Sequence, residues 1–245
     1  MKDAYDDTDP VNEMYFLKLH LHAADLKATA AFYNDVLDLP ILYHTDSNLS
    51  LQAGATTLYF SRAHEGTKPH YHFAFRIPEE RFQDLRLHLE ENIELLPNLE
   101  REQSHVHDHP DLEQARSLYF KDPAGNLVEA IMRPLTGTKA ATPFGSGWVE
   151  SINEIGMPAS DVEGVAQLLK KNIKLPFYHR MSDHVIAYGD SHAMLLVVER
   201  GWQWTPKSYE GAQVYPVEVT IADAPKKTVF SVPGYPYTIK TERGR

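Results

Sequence analysis

Hydrophobic and polar positions alternate over several short stretches of the chain, and apolar residues at helical spacing lie between them. Residues 16–22 alternate in this way and predict a strand. Asp25 then offers an N-cap, and the apolar positions after it predict a helix that Pro40 ends. These positions are Leu26, Ala30, Phe32, Tyr33 and Leu37. Short strands around a turn at Gly54 complete a βαβββ unit.

The same unit returns further along the chain. Asp25 falls on Asp161 and Pro40 falls on Pro176, an offset of 136 residues without a gap. A third unit lies between the two copies. Its predicted elements are a strand at 70–77, a helix at 78–93, a strand near 95–99 and a hairpin turning at 122–126. The remainder, 213–240, has strand-like stretches without a helical pattern, so we expect three βαβββ units and a partial fourth.

These repeats predict an α+β fold in which βαβββ units form curved mixed sheets. The predicted parts of the chain are a disordered N-terminus at 1–13, a first domain of two units at 14–134, a linker at 135–147 and a second, incomplete domain at 148–245. The linker is assigned from its small residues, Gly and Thr. An incomplete fourth unit leaves sheet edges without a partner, and a homodimer is one assembly that would cover them.

Composition narrows the possible functions. The chain has 245 residues, no cysteine, 13 histidines and a net charge of −10. The missing thiols exclude disulfides, a cysteine nucleophile and thiolate metal sites, so any metal would bind through His, Asp or Glu. The acidic charge argues against nucleic acid as a partner, and no apolar run is long enough to span a membrane. The acidic first ten residues differ from a secretion signal, so we expect a cytoplasmic protein that acts on a small-molecule substrate.

Two predicted strands carry polar residues that are costly to bury without a partner. Strand alternation places His72 and Arg76 on one face. Glu129 shares a face with Leu127 and Ile131, where a carboxylate needs a hydrogen bond, a cation or a metal. The residues alone leave three alternatives: Glu129 pairs with Arg76, points to solvent or ligates a metal.

The first strand raises the same question for a pair of histidines. Lys18, His20 and His22 share one face of this strand. Two histidines on one strand face can chelate a metal, but a half-exposed strand often shows the same pattern. His and carboxylate ligands from several strands of one curved sheet would form a facial set with open positions, which suits iron(II) or a similar Lewis acid.

Three stretches resemble the vicinal oxygen chelate superfamily, which includes glyoxalases, bleomycin resistance proteins and extradiol ring-cleaving dioxygenases. They are DLKATAAFYNDVLDLP, YHFAFRIPEERF and SLYFKDPAGNLVEAI. The last two are most similar to the catechol-type dioxygenases. The resemblance covers 14–134 well and 148–199 less closely, and it implies the glyoxalase/bleomycin-resistance/dioxygenase fold.

The resemblance also implies a metal site. His72 stands at the family's second ligand position and Glu129 at its last. The first ligand position falls on Lys18, and a protonated amine cannot ligate a metal. Either the site is incomplete, or a local shift brings in His20, or Glu154 completes it. Glu154 aligns with Lys18 in the third unit and would serve if the second and third units pair; His20 ranks slightly ahead of it.

The histidine run at 105–109 allows three interpretations. It is a solvated loop, a lid, or the source of an acid–base group, because histidine titrates near neutral pH. The dioxygenases resembled here have a histidine in this part of the chain, which implies His109 as a catalytic residue.

The leading functional hypothesis is a metal-dependent enzyme of this superfamily. The resemblance implies an extradiol ring-cleaving dioxygenase of catechol-like substrates, with iron(II) as the first choice of metal and manganese, zinc or nickel as others. The alternative is a metal-free protein of the bleomycin-resistance type that binds and sequesters a small molecule, which Lys18 at a ligand position favours. A CppA-like protein of unclear activity is a third possibility.

Overall fold

The computed structural model describes residues 14–98, 101, 104–109, 114–134, 147–204 and 210–243. The segment 1–13, predicted to be disordered, lies outside these ranges, as do residues 135–146 of the predicted linker. Fifteen strands and three helices occur within the described ranges. None of these helices is long and apolar enough to cross a membrane.

The first unit has the predicted order. Its elements are β1 (Tyr15–Ala23), α1 (Leu26–Leu37), β2 (Ile41–His44), β3 (Asn48–Ala53) and β4 (Thr56–Arg62). The Asp25 carboxylate accepts a hydrogen bond from the backbone N–H of Ala28 and caps α1, as the sequence predicts. The helix ends at Asp38 in the left-handed conformation, two residues before Pro40.

The second and third units follow the same plan. The second consists of β5 (His72–Arg76), α2 (Glu79–Asn92), β6 (His107–His109), β7 (Ala115–Lys121) and β8 (Leu127–Met132). The third consists of β9 (Ser151–Ala159), α3 (Val162–Ile173), β10 (Phe177–Ser182), β11 (Val185–Gly189) and β12 (Met194–Glu199). Asp161 caps α3 by accepting from the backbone N–H of Gly164, the counterpart of the Asp25 cap.

The structure corrects the prediction for the second unit at one point. Within the described residues 95–98 no strand forms, and Leu95 makes an isolated bridge to Phe120. Leu95 is 4% exposed, so its apolar character reflects core packing rather than sheet pairing. The strand forms later in the chain as β6, inside the histidine run for which a loop was one interpretation.

The C-terminal part of the chain contributes strands alone. They are β13 (Val217–Ala224), β14 (Thr228–Ser231) and β15 (Tyr237–Arg243). Residues 210–243 contain no helix, in agreement with the predicted partial fourth unit.

The strands form two curved mixed sheets. The seven-stranded sheet has the order β14-β15-β13-β1-β4-β3-β2, and the eight-stranded sheet has the order β10-β11-β12-β9-β5-β8-β7-β6. The first unit therefore shares a sheet with the C-terminal strands, and the second shares one with the third. The predicted domains, 14–134 and 148–245, follow the order of the units along the chain. The sheets do not follow this division, because each contains strands from before and after residues 135–147.

The two sheets are built on one plan. The first strand of a unit pairs in parallel with the last strand of that unit, β1 with β4 and β9 with β12. On their other sides, β1 pairs antiparallel with β13, and β9 pairs antiparallel with β5. In turn, β13 pairs in parallel with β15, and β5 pairs in parallel with β8. Each strand of the seven-stranded sheet thus has a counterpart in the eight-stranded sheet, and β6 is the extra strand among those described.

The core lies where the apolar sides of both sheets meet the helices. The fully buried ring of Tyr33, on α1, has its centroid 5.8 Å from that of Phe60 in the seven-stranded sheet. It also lies 6.5 Å from Phe73 and 6.1 Å from Phe75 of the eight-stranded sheet. One helix therefore packs against both sheets, which leaves their opposite, polar sides available for binding.

A turn of the seven-stranded sheet touches the start of β9. Gly54, between β3 and β4, has φ +57°, and a Cβ atom there would collide with the carbonyl oxygen of Glu150. The N–H of Ala55 donates to the same carbonyl at 2.7 Å. The N–H of Ile152 donates to Thr56 Oγ1 at 3.0 Å. These contacts fix the place where β9 enters the eight-stranded sheet.

We expect Gly54→Ala to lower the free energy of unfolding by about 2–5 kcal/mol, because it adds a backbone collision to the cost of a positive φ. Gly66→Ala is the matched control, since Gly66 has φ +80° and no described atom within 4 Å of an added Cβ. The control should cost about 1–2 kcal/mol. Chemical denaturation of both variants measures the difference, and equal losses would contradict the proposed role of the turn.

Candidate metal centre

Three buried side chains meet on the polar side of the eight-stranded sheet. One ligand atom each from His72, Glu129 and Glu154 lies within 4.8 Å of the other two. The residues are 5%, 3% and 4% exposed. Strand register explains the meeting, because Ala74 on β5 pairs with Glu154 on β9 and with Glu129 on β8. His72, two residues before Ala74, points to the same side.

His20 lies in the other sheet. It is on β1, where its Nε2 atom is 2.9 Å from Ser61 Oγ. Of the two candidates for a third ligand, the structure brings Glu154 next to His72 and Glu129, which reverses the order of preference inferred from the sequence. Glu154 enters the cluster because the second and third units share a sheet.

The hydrogen bonding of His72 leaves one ring nitrogen free to bind a cation. Its Nδ1 is 3.1 Å from the carbonyl oxygen of Leu127, which accepts only, so Nδ1 carries the proton. Its Nε2 lone pair therefore faces Glu129 Oε2 at 3.5 Å. Burial lowers the pKa of His72 to about 4, so the ring is neutral at pH 7. His72 Nε2 and Glu129 Oε2 are thus two buried acceptors that face each other, an arrangement that suits a cation bound between them.

Glu129 is held by hydroxyl groups from the neighbouring strand. Ser117 Oγ donates to Glu129 Oε1, and the Tyr119 hydroxyl also donates to this carboxylate. Burial raises the pKa of Glu129, although these hydrogen bonds oppose the shift. The alternative in which Glu129 pairs with Arg76 is wrong, because Arg76 Nε binds Glu150 at 2.9 Å. The alternative in which Glu129 points to solvent is excluded by its burial.

Glu154 is held by a buried guanidinium. Arg133 Nη2 lies 2.6 Å from Glu154 Oε1, and Arg133 Nε donates to Asn153 Oδ1 at 3.3 Å. Burial and the negative charge of Glu129 raise the pKa of Glu154 to about 7. With both carboxylates ionised, one guanidinium leaves the cluster one negative charge in excess. A divalent cation fits this charge and this donor set of one imidazole and two carboxylates.

His109 lies beside the cluster rather than in it. On β6, its Nε2 is 3.0 Å from Ser117 Oγ and 4.0 Å from Glu129 Oε1. Burial lowers the pKa of His109. Ser117 thus connects a partly exposed imidazole to a buried carboxylate.

The turn before β8 sets the position of Glu129. Asp122 Oδ1 accepts from the N–H groups of Ala124 and Asn126, both at 2.9 Å. The hydroxyl of Tyr33 on α1 donates to Asp122 Oδ2 at 2.7 Å. Asn126 Oδ1 accepts from the N–H of Tyr71, the residue before His72, at 2.8 Å. The turn therefore ties β8 to β5 at the point where the strands that carry Glu129 and His72 begin.

The Trp204 ring packs against the His72 ring. The two ring centroids are 4.1 Å apart, and a Cβ atom at Gly156 would lie 2.7 Å from Trp204 Cζ2. A cleft open to solvent is lined by His72, Trp204 and Tyr215 among others. This cleft borders His72 but neither carboxylate, so it reaches the cluster from the imidazole side.

Sequence reasoning missed three residues around the cluster: Ser117, Tyr119 and Arg133. Tyr119 on β7 is the antiparallel partner of Glu129, and Ser117, two residues earlier, faces the same side. Alternation within the SLYF stretch could have indicated them, once β7 was paired with β8. Arg133 follows β8 directly, and nothing in its spacing indicates that it reaches Glu154.

Among known proteins, this chain is similar to solved structures only. No protein-family model and no curated protein matches the sequence. Among solved structures, a Bacillus subtilis protein provisionally described as a dioxygenase is 14% identical, with a TM-score of 0.60 over 95% of this chain and 86% of its own. Glyoxalase I from Zea mays is 12% identical, with a TM-score of 0.57 over 94% of this chain and 92% of its own. The chain therefore shares the fold of these two proteins, the glyoxalase/dioxygenase fold.

Proposed function

We propose that this protein is a divalent-metal-dependent enzyme that acts on a small molecule with two adjacent oxygen atoms. The metal is held by His72 Nε2 and by the carboxylates of Glu129 and Glu154. The observation that carries the proposal is the unprotonated Nε2 facing Glu129 Oε2 at 3.5 Å inside a buried cluster with an excess negative charge. A cation between them would replace the solvation that burial removes from His72 Nε2 and Glu129 Oε2.

Iron(II) is the metal we propose first. One imidazole and two carboxylates on one side of a curved sheet leave coordination positions open, and such nitrogen–oxygen sets suit iron(II), manganese, zinc or nickel. The resemblance of YHFAFRIPEERF and SLYFKDPAGNLVEAI to catechol-type dioxygenases favours iron. We therefore propose extradiol cleavage of a catechol-like ring as the reaction.

The chain's own residues supply binding and proton handling around the metal. When bound, the cation supplies Lewis-acid stabilisation of negative charge on two adjacent substrate oxygens, and iron(II) adds redox capacity. His109 is the acid–base group: it holds a proton at Nε2, 3.0 Å from Ser117 Oγ, the hydroxyl that donates to Glu129. Among the described residues, Arg133 Nη1 has no acceptor, so this buried guanidinium keeps two N–H bonds to donate to a substrate oxygen.

A metal-free binding protein is the second candidate. The ion pair between Arg133 and Glu154 at 2.6 Å favours it, because it already neutralises one of the two carboxylates. The raised pKa of Glu129 would help the other carboxylate to hold a proton. The cluster would then be neutral without a metal, and the fold would serve to bind and sequester a small molecule. Metal content separates the two candidates.

We expect one equivalent of metal per chain after anaerobic loading of protein made without an affinity tag. Elemental analysis should show its loss in His72→Ala and Glu129→Ala, because each removes a ligand. His20→Ala is the matched control and should keep the full equivalent, since this histidine lies in the other sheet. Wild-type protein without stoichiometric iron, manganese, zinc or nickel would exclude the enzyme proposal and favour the binding protein.

Ser117→Ala should weaken metal binding without removing a ligand. Loss of the hydroxyl that orients Glu129 is expected to lower metal affinity about 10- to 100-fold, as for other residues that hold metal ligands. Isothermal titration with Mn(II) measures this change. Ser61→Ala, which removes the partner of His20 instead, should leave the affinity unchanged. Equal affinities for both variants would show that Ser117 does not support the site.

Metal affinity should depend on pH through Glu154. Because the pKa of Glu154 is raised to about 7, a proton competes with the metal below this pH and is largely absent above it. Affinity for Mn(II) is therefore expected to fall about tenfold from pH 8 to pH 6, with one proton displaced per metal bound. Glu154→Gln should flatten this dependence. The same affinity at both pH values in the wild type would contradict the assignment of Glu154 as a ligand.

A further inference from the structure

The seven-stranded sheet has charged side chains at the positions that correspond to the metal cluster. In the eight-stranded sheet, Ala74 of β5 pairs with Glu154 and with Glu129. In the seven-stranded sheet, Thr220 of β13 pairs with Lys18 on β1 and with Lys240 on β15. Since β13 is the counterpart of β5, the two lysines occupy the places of the two carboxylates.

The third position changes as well. His72 lies two residues before Ala74, and Glu218 lies two residues before Thr220. One imidazole and two carboxylates are therefore replaced by one carboxylate and two ammonium groups. Ammonium groups have no lone pair for a metal, so this cluster repels the cation that its counterpart attracts.

The three charged side chains of the seven-stranded sheet act on one another. Lys240 Nζ donates to Glu218 Oε1 at 2.7 Å, and the two side chains are 39% and 31% exposed. This hydrogen bond and the charges of both lysines lower the pKa of Glu218. Lys18 Nζ lies 4.4 Å from the centroid of the Tyr59 ring. The ammonium groups thus face one surface that a dissolved molecule can reach.

The neighbouring histidines add no charge at neutral pH. Burial, and then the charge of Lys18, lower the pKa of His20 to about 4. Burial also lowers the pKa of His22. Two ammonium groups and one carboxylate therefore give this surface one positive charge in excess, on a chain whose net charge is −10.

We propose that this face of the seven-stranded sheet is a second binding site, which holds a small oxyanion between Lys18 and Lys240. The backbones of β1 and β15 are two strand spacings apart, about 10 Å, a gap that two lysine side chains and one oxyanion can span. Glu218 positions Lys240, Tyr59 supports Lys18 through a cation–π contact, and both ammonium groups donate charge-assisted hydrogen bonds. A carboxylate or a phosphate group offers this chemistry. The proposal does not depend on metal binding in the other sheet.

Titration of the full chain with inorganic phosphate, and separately with benzoate, tests the site by amide chemical shifts. The protein is used without added metal, and shifts near His72 report any competing binding at the other sheet. We expect saturable shifts at Lys18, Tyr59 and Thr220 with millimolar ligand. Lys18→Met and Lys240→Met, which keep the apolar part of the side chain, should each weaken binding about tenfold, the value of one charge-assisted contact. Lys171→Met is the control, because Lys171 lies on α3 and is exposed.

Each outcome decides for or against the site. Stronger binding of phosphate identifies phosphate esters as the ligand class, and stronger binding of benzoate identifies aromatic carboxylates. Shifts confined to His72 and its neighbours would overturn the proposal, as would the absence of saturable shifts. Equal losses of ligand affinity in Lys171→Met, Lys18→Met and Lys240→Met would also overturn the proposal, because the loss would then reflect the net charge of the protein.

Discussion

The burial of two carboxylates beside a single guanidinium is the constraint on which the eight-stranded sheet depends. Removing Glu129 and Glu154 from water costs several kcal/mol each unless hydrogen bonds and opposite charge replace the solvent. Arg133 serves Glu154, while Ser117 and Tyr119 serve Glu129. These groups come from the strands around β5 and the residue after β8, so the site exists only when the whole set of strands is in register.

Polar contacts maintain this register together with the apolar core. A slip of one residue would turn Glu129 into the core and an apolar neighbour out of it. The Asp122 carboxylate prevents such a slip at β8, because it is held by its own turn and by the Tyr33 hydroxyl of α1. The Gly54 turn does the same for β9 through the Glu150 carbonyl. The contacts that fix the buried cluster thus come from α1 and from the β3–β4 hairpin of the first unit, whose strands lie in the other sheet.

Local patterns were enough to predict the repeats and the helix cap at Asp25, whereas the pairing of His72 with Glu129 in one site was implied by the family resemblance of their motifs. They were not enough to choose between His20 and Glu154. That choice depends on which unit shares a sheet with the second one, and strand pairing between distant segments leaves no periodic trace in either segment. Arg133 was missed for the same reason. The prediction of a strand near 95–99 was wrong because Leu95 packs in the core without joining a sheet. The strand that forms instead, β6, consists of polar residues at the edge of a sheet.

The order of the units along the chain also sets the order in which the two sheets can be completed during synthesis. Strands β5 to β12 follow one another, so the eight-stranded sheet can close as soon as the third unit has left the ribosome. β1 is made before these strands, yet Lys18 pairs with Thr220 of β13, which is made about 200 residues later. Until then one edge of β1 is open, and contacts between such distant segments form slowly. The first unit to be translated is therefore the last to acquire its full sheet.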